Sequence, residues 1–464
     1  MTALDIVILA AGKGTRMKSR LPKVLHRLAG QPLLAHVLDA AAALQARNVI
    51  VVTGHGAEQV ESFCAVRAAP APRTVRQEPQ LGTGHAMQQA MPLLPDDGVV
   101  LILNGDVPLI EPDTLRRLVA LASGGAPALL TVDTGADAGV YGRIVRGPDG
   151  AVQAIVEAKD ASAEQRKLTE WYSGVMAVPT SQLARYLAQL TDDNAQRELY
   201  LTDVVRHAVT DGVCIAALTI DDTVQVAGIN SPAQLAALER AVQARRAAAL
   251  MDAGVRLADP ARIDVRGELC CGQDVEIDVG CVFEGQVTLA DNVHVGAHCF
   301  IANVRVEAGA SIHPFTHIDG SRQGVTVGAG AHVGPYARLR PGARLDAQVH
   351  VGNFVEIKNS HLAEGAKANH LAYLGDAEVG ARVNYGAGSI TANYDGVNKH
   401  RTEIGADVHV GSNCVLVAPV AIGAGGTVGA GSVITKNTPP GALSVARSRQ
   451  IVKEGWIDPA KAGQ

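Results

Sequence analysis

The stretch 263-IDVRGELCCGQDVEIDVGCVFEGQVTLADNVHVGAHCFI-301 decides the architecture of the second half of the chain. Val265, Cys271, Ile277, Phe283, Leu289, Val295 and Ile301 stand six apart, and Leu269, Val275, Cys281, Val287, Val293 and Cys299 follow four residues behind the first six of them. The period resumes at Val327, Val333, Leu339, Leu345, Val351 and Ile357, and again at Ile404, Val410, Leu416, Ile422, Val428 and Ile434. A small residue commonly comes next, as in Val295-Gly296, Val351-Gly352 and Ile404-Gly405. This is the hexapeptide signature of coils in which each short strand makes one side and successive coils stack. It predicts a left-handed parallel β-helix over 255–464; the alternative is an antiparallel β domain with accidental spacing. Breaks in the period at 319–326, 361–378 and 392–403 predict loops that leave the coil, where binding chemistry tends to collect. Cys281, Cys299 and Cys414 fall on interior positions and read as plain buried thiols.

Upstream, Ser231, Pro232 and Gln234 make a helix start, with an N-cap, a proline at the first position and a capping box. Leu235, Leu238, Val242, Ala249 and Leu250 carry a helical apolar spacing until Gly254 ends it. The pattern predicts a linker helix over 229–254, a rigid arm of roughly 33 Å at 1.5 Å per residue. Before it, over 1–228, short β-branched runs such as Val49 to Thr53 and Val99 to Leu103 alternate with Ala- and Leu-rich stretches such as Leu33 to Ala46. That alternation predicts βαβ units and a Rossmann-like α/β domain with a mostly parallel sheet.

Composition agrees with two folded bodies. The 464 residues exceed what one hydrophobic core serves, and the 3% aromatic share with 49 glycines suits an interior of small aliphatics and many tight turns. A net charge of -5 gives no global attraction to nucleic acid or to an anionic membrane. The apolar start from Ile6 to Ala11 follows Asp5 and runs into Gly12-Lys13-Gly14, so it reads as a first strand and not as a signal peptide. No apolar run reaches about 18 residues. A cytoplasmic protein without nucleic-acid or membrane partners is expected. Seven cysteines without CxxC spacing suggest neither a disulfide framework nor a zinc knuckle.

The first strand is followed by Leu9-Ala10-Ala11-Gly12-Lys13-Gly14-Thr15-Arg16-Met17, with Leu21-Pro22-Lys23 close behind. Glycines let backbone approach a ligand, and amides at a helix start favour phosphate. The loop is neither a Walker A sequence nor a dinucleotide fingerprint; the lesser alternative, for the loop by itself, is a tight strand-to-helix turn with solvated Lys and Arg. Asn104-Gly105-Asp106-Val107-Pro108 ends the run Val99 to Leu103 and sets a carboxylate at the edge of a parallel sheet where ligands of such folds bind. A hard carboxylate oxygen suits Mg²⁺.

The Leu-Ala-Ala-Gly-x-Gly-Thr-Arg-Met and Leu-Pro-Lys pair resembles the sugar-phosphate nucleotidyltransferases, and Gln77-Glu78-Pro79-Gln80-Leu81-Gly82-Thr83-Gly84 narrows the likeness. Joined to a long hexapeptide domain, the chain is similar to the bacterial bifunctional N-acetylglucosamine-1-phosphate uridyltransferases/glucosamine-1-phosphate N-acetyltransferases. The resemblance implies UTP and acetyl-CoA as co-substrates and Mg²⁺ as cofactor. It assigns Leu9, Ala10, Ala11, Gly12, Arg16 and Lys23 to the nucleotide and its phosphates, and Gln77, Gly82 and Thr83 to the uracil. Asn104 and Gly105 lead to Asp106, which with Asn230 in Val226-Ala227-Gly228-Ile229-Asn230 would hold Mg²⁺. Gly142, Glu157 and Tyr172 would contact the sugar. Two departures stand out: Tyr172 replaces a usual Asn, and Asn104 replaces a commonly larger residue.

In the C-terminal half the resemblance makes His370 the general base that frees the amine of glucosamine-1-phosphate to attack the thioester, a role an imidazole suits. Glu356 is the expected partner that orients it. Arg340 and Lys358 would bind the sugar phosphate, and Tyr373 and Asn384 the sugar. Acetyl-CoA would lie near Ala387, Asn393, Tyr394, Ser412 and Ala430, with Arg447 at its phosphates. His332 and His350 share a repeat position and are expected to form a ladder, without a metal. The acetyl-transfer site is expected between adjacent chains of a homotrimer. Two other readings exist: a monofunctional sugar-nucleotide pyrophosphorylase whose β-helix regulates or oligomerises, and a nucleotide-binding scaffold without activity. The grouping of Arg340, Lys358, His370, Tyr373 and Asn384 argues against the first, and Lys23, Asp106 and Asn230 argue against the second.

Overall fold

The computed structural model describes residues 2–67, 71–457 and 459–460. The last of the tail beyond Trp456, from 461 onward, lies outside the described residues. Two compact units divide the chain, Met1–Ala241 and Val242–Gln464.

The first unit is built on a sheet whose strands run, edge to edge, Ala216–Ile220, Ala128–Asp133, Glu170–Pro179, Val99–Asn104, Leu4–Leu9, Asn48–Thr53 and Arg73–Arg76. Neighbours pair parallel except Glu170–Pro179, which is antiparallel to both of its neighbours and carries the hairpin Arg143–Arg146/Val152–Val156. Ile6, Val7 and Ile8 are fully buried, with Ile6 and Ile8 in one apolar layer and Val7 in the other. That double burial is why the strand reads as an uninterrupted apolar run.

One local expectation fails. No α-helix follows the glycine loop; Thr15–Met17 is a single 3₁₀ turn, and the next helix is Leu33–Ala42. Gly14 (φ 56°) and Lys18 (φ 49°) are both left-handed and interrupt the right-handed path on either side of the turn. A Cβ at Gly14 would come within 2.8 Å of the Lys23 Cβ, so the same glycine brings the loop against Lys23.

The helix Pro232–Asp252 has the predicted ends. The Gln234 amide donates to Ser231 Oγ at 3.3 Å, while Gln234 Oε1 accepts from the Asn230 amide at 2.8 Å, so the capping box reaches one residue further back than expected. Gly254 (φ 95°) stops it. The boundary between units falls inside this helix: Glu239 accepts from the Ala29 amide in the first unit, whereas buried Gln243 exchanges two hydrogen bonds with the Val265 backbone in the second.

The second unit is a parallel β-helix with three faces. Register pairs on the first face link Val333, Val351, Ala368, Tyr385, Val410 and Val428 on successive coils. All six point inward and are buried. The expected loop over 361–378 is absent, because His361–Leu362, Lys367–His370, Tyr373–Gly375 and Ala377–Val379 are all strands of the coil. What interrupts the sequence period is a missing residue: Ile357 to Leu362 and Leu374 to Val379 are five apart instead of six. The breaks at 319–326 and 392–403 are true excursions; the second forms a small hairpin bridged between Tyr394 and Lys399. Every departure from six, shorter or longer, falls at the corner leading from the second face to the third. The other two corners keep their spacing from Ile277 to Ile434. The corner between the first and second faces instead stacks Phe315, Tyr336 and Phe354, with ring centroids 5.0 and 5.4 Å apart, all three at positive φ and exposed.

Candidate active sites

In the first unit the strands Leu4–Leu9 and Val99–Asn104 pair Leu9 with Asn104 at their C-terminal ends. A cavity of about 610 Å³ opens there, lined by Leu9, Ala10, Ala11, Gly12, Lys23, Gln77, Gly82, Thr83, Asn104 and Asp106 among others. A second cavity of about 230 Å³ shares Leu9, Thr83, Asn104 and Asp106 and adds Gly142, Glu157, Tyr172 and Asn230. The residues singled out in sequence therefore meet at one place, with two exceptions. Arg16 is exposed and lines neither cavity; Gly105 gives its amide to the Leu9 carbonyl at 2.9 Å and positions the turn.

At the junction of the two cavities the Lys23 ammonium bonds Asp106 Oδ2 at 2.5 Å and Asn230 Oδ1 at 3.1 Å. Two hard oxygens from distant elements thus converge on a single cation position. Asp106 follows the strand Val99–Asn104 and Asn230 stands two residues before the long helix, while the 3₁₀ turn Lys23–Leu25 brings the ammonium. Gln77, almost fully buried, donates Nε2 to the Gly82 carbonyl at 2.8 Å, which leaves its Oε1 as the group still able to meet a ligand donor. Gly82 (φ 107°) can be nothing else, since a Cβ would lie 2.6 Å from the Leu199 carbonyl.

Burial pushes the Glu157 carboxyl up, against a hydrogen bond donated by Thr202 at 3.1 Å and with Asp160, Asp203 and Glu198 adding to the rise. Tyr172 lies on the wall of the smaller cavity with its ring in the apolar layer, and its buried hydroxyl has no partner among the described residues. Gly174, on the same strand, is held at φ 87° against Asn104, whose Nδ2 donates to the Gly174 carbonyl at 3.2 Å. Sequence reading passed over Lys13, which lines the larger cavity, and Thr202. Lys13 was inside the quoted motif; Thr202 carried no local signal.

In the second unit the outward residues of the second face stack Arg338, Glu356 and Tyr373 in register. Glu356 accepts from Arg340 at 2.8 Å and Arg338 at 3.3 Å. This corrects its expected pairing with the imidazole: His370 Nδ1 is bonded at 2.7 Å to Asn353 Oδ1, one coil below. The reason is geometric. His370 closes the first face, whereas Glu356 stands on the second, beside two guanidinium groups. Lys358 pairs with Asp376 at 3.4 Å, and Asp376 also accepts from Asn359 and Asn393. Burial acts to lower Lys358, yet the Asp376 carboxylate beside it leaves it raised. Lys399, from the 392–403 excursion, is a cation that sequence reading missed.

The remaining residues separate into edges. Asn353, His370, Ala387, Ser412 and Ala430 each stand two past an inward residue of the first face, forming one column along its corner with the second. Arg447 joins that column by donating to the Ala430 carbonyl at 2.6 Å. Asn393 and Tyr394 lie at the opposite edge of the second face, and Asn384 lies on the first face, with His409 at 3.0 Å. One chain alone therefore does not enclose these groups. His332 and His350 do form a ladder, ring centroids 5.7 Å apart, extended by His313 at 5.6 Å. Among the described residues no group of three His, Cys, Asp or Glu is arranged to hold a metal ion.

Comparison with known proteins places this geometry. Residues 6–257 match the MobA-like NTP transferase domain, and residues 401–436 match the bacterial transferase hexapeptide of six repeats. The chain is 68% identical to the "Bifunctional protein GlmU" of Paracidovorax citrulli over 99% of both chains. It is 65% identical to the protein of the same name from Acidovorax ebreus, again over 99% of each. Among solved structures, a UDP-glucose pyrophosphorylase complexed with UDP-glucose aligns with a TM-score of 0.45 and 18% identity, covering 53% of this chain and all of that one.

Proposed function

The chain belongs to the family of bifunctional GlmU proteins, and from that premise we propose how its residues divide the two reactions. It is a bifunctional transferase, a nucleotidyltransferase in its N-terminal half and an acyltransferase in its C-terminal half. It makes UDP-N-acetylglucosamine from glucosamine-1-phosphate, acetyl-CoA and UTP, acetylating the sugar phosphate before the uridylyl group is transferred and pyrophosphate released.

The convergence of Asp106 and Asn230 on the position held by the Lys23 ammonium carries the reading of the first half. Two hard oxygens beside a cavity are a donor set that Mg²⁺ accepts, the rest of its shell being water and phosphate. Asp106 and Asn230 would hold the ion, with Lys23 displaced towards the phosphates. A bound Mg²⁺ supplies charge neutralisation on the triphosphate. Leu9 to Gly12 hold the nucleotide, Gln77, Gly82 and Thr83 the uracil, and Lys23 and Arg16 the developing charge. Gly142, Glu157 and Tyr172 line the space left for the sugar, whose phosphate attacks the α-phosphorus in line.

In the second half Arg340, Lys358 and Lys399 form the cationic seat for the sugar phosphate. His370, its Nδ1 bonded to the Asn353 side-chain oxygen, presents Nε2 as the base for the amine. Tyr373 and Asn384 hold the sugar. The column Ala387, Ser412 and Ala430, with Arg447, guides the coenzyme, and Asn393 and Tyr394 close it from the other edge. Because those edges are apart on one chain, the site is completed between copies of a homotrimer. The domain division follows as 1–228, a connecting helix over 229–254, and 255–464. We place the enzyme in the cytoplasm; no helix among the described residues is long and apolar enough to cross a membrane. The test is to offer the pure protein glucosamine-1-phosphate, acetyl-CoA, UTP and Mg²⁺. UDP-N-acetylglucosamine should form, and its absence with all four present would overturn the reading.

A further inference from the structure

The excursion Gly320–Gly324 leaves the β-helix at the variable corner and arches over the third face. Its base is closed by Gly324 donating to the Gly320 carbonyl at 2.8 Å, and Gly342 of the next coil donates to Gly324 at 3.0 Å. A cavity of about 520 Å³ lies beneath it, lined among others by Gln286, Asn303, Arg305, Arg322, Gln323 and Arg344. None of its lining residues is acidic. In a chain of net charge -5, a cavity with three guanidinium groups and no carboxylate is an inversion of the average surface.

Three acids close to these residues in sequence already have partners. Glu307 holds Arg305 at 2.6 Å from outside the cavity; Asp319 accepts from the Ser321 amide and hydroxyl and so fixes the turn; Asp346 bonds His361 at 2.9 Å. The guanidinium groups of Arg322 and Arg344 have no hydrogen-bond or ion-pair partner among the described residues. Arg305, Thr326 and Arg344 stack in register on three successive coils, which sets the two arginine backbones about 10 Å apart at the usual spacing of paired strands. Arg322, from the arch, lines the same cavity. Guanidinium forks match phosphate oxygens geometrically, and side-chain amides and hydroxyls complete such sites. A single phosphate would engage one end; two linked phosphates span the gap.

We propose that this cavity is a binding site for a diphosphate group, separate from both transferase sites. The group is available as free pyrophosphate or as the diphosphate of a nucleotide. The test is calorimetric titration of the full-length protein with inorganic pyrophosphate, UDP and inorganic phosphate in turn. The wild type should show a class of pyrophosphate sites, beyond the one at the uridylyl site, that is lost or weakened at least roughly 10-fold in Arg322→Ser/Arg344→Ser. A variant of equal charge change on the other unit, Arg117→Ser/Arg166→Ser, should keep it. Both transferase activities should stay within about twofold of wild type in either variant, which separates loss of the site from misfolding. Loss of the extra pyrophosphate class together with an extra class of UDP sites in Arg322→Ser/Arg344→Ser assigns the site to diphosphates in either form; loss of the extra pyrophosphate class with the UDP isotherm unchanged assigns it to the free anion. Identical isotherms for wild type and Arg322→Ser/Arg344→Ser, or phosphate binding as tight as pyrophosphate, would overturn the proposal.

Discussion

Lys23 bridges an oxygen of Asp106, in the middle of the first unit's sequence, and one of Asn230, near its end. Asp106→Asn should cut pyrophosphate release by at least about 10²-fold while acetyl transfer continues near its normal rate. His370→Ala should do the reverse, losing about 10² to 10⁴ in acetyl transfer, with partial recovery as pH rises and more substrate amine is already neutral. Separate assays of the two half-reactions check both, and a joint loss would mean unfolding. Tyr172 makes a different case. Its hydroxyl is buried without a protein partner, an arrangement that costs about 1 kcal/mol or more. Tyr172→Phe should therefore raise the Tm of the free enzyme while raising the KM for N-acetylglucosamine-1-phosphate several-fold and leaving that for UTP nearly unchanged. A sugar KM that does not move would remove Tyr172 from the sugar contacts.

At the scale of elements, what was legible in sequence followed from how local its cause is. The hexapeptide columns and the helix starting at Ser231 were readable because period and capping are set by near neighbours. The 361–378 region was misread because deleting one residue from a coil and inserting a loop break a period in the same way, and only the continued strand pairing tells them apart. The imidazole partner was likewise out of reach, since Asn353 and His370 meet by stacking across a coil. Another stacked contact gives a prediction. His361, between Arg344 and Glu378 in register, bonds Asp346 and Glu378 through its two ring nitrogens. Burial acts to lower its pKa, but the two carboxylates outweigh it and leave it raised. The folded state thus holds this proton more tightly than the unfolded chain. The extra stability is fully present below the ordinary imidazole value of about 6.5 and disappears as pH rises through the higher folded value. Urea unfolding should show His361→Gln less stable than wild type by about 1 kcal/mol at pH 6, with the gap closing by pH 9. A gap that widens with pH would reverse the assignment.

For the whole molecule, the placement of coenzyme-side residues on both edges of one face has a direct consequence for assembly. Sedimentation should give three times the chain mass. Co-expression of His370→Ala with Tyr394→Ala should restore acetyl transfer that each variant lacks alone, because mixed trimers contain some sites with both edges intact. A monomer with full acetyltransferase activity would end the shared-site account. The confinement of every short or long coil to one corner reaches further. Two edges of this prism act as a fixed scale, while the third can gain or lose residues without changing which side chains face inward. Inheritance can rewrite that third edge by insertion and deletion, and the same edge supplies Arg340, Lys358, Asp376, Asn393 and Lys399 on one stretch and the arginine cavity on another. The fold thereby separates what must be copied faithfully from what can be edited, and it offers one margin along its length for grafting new loops.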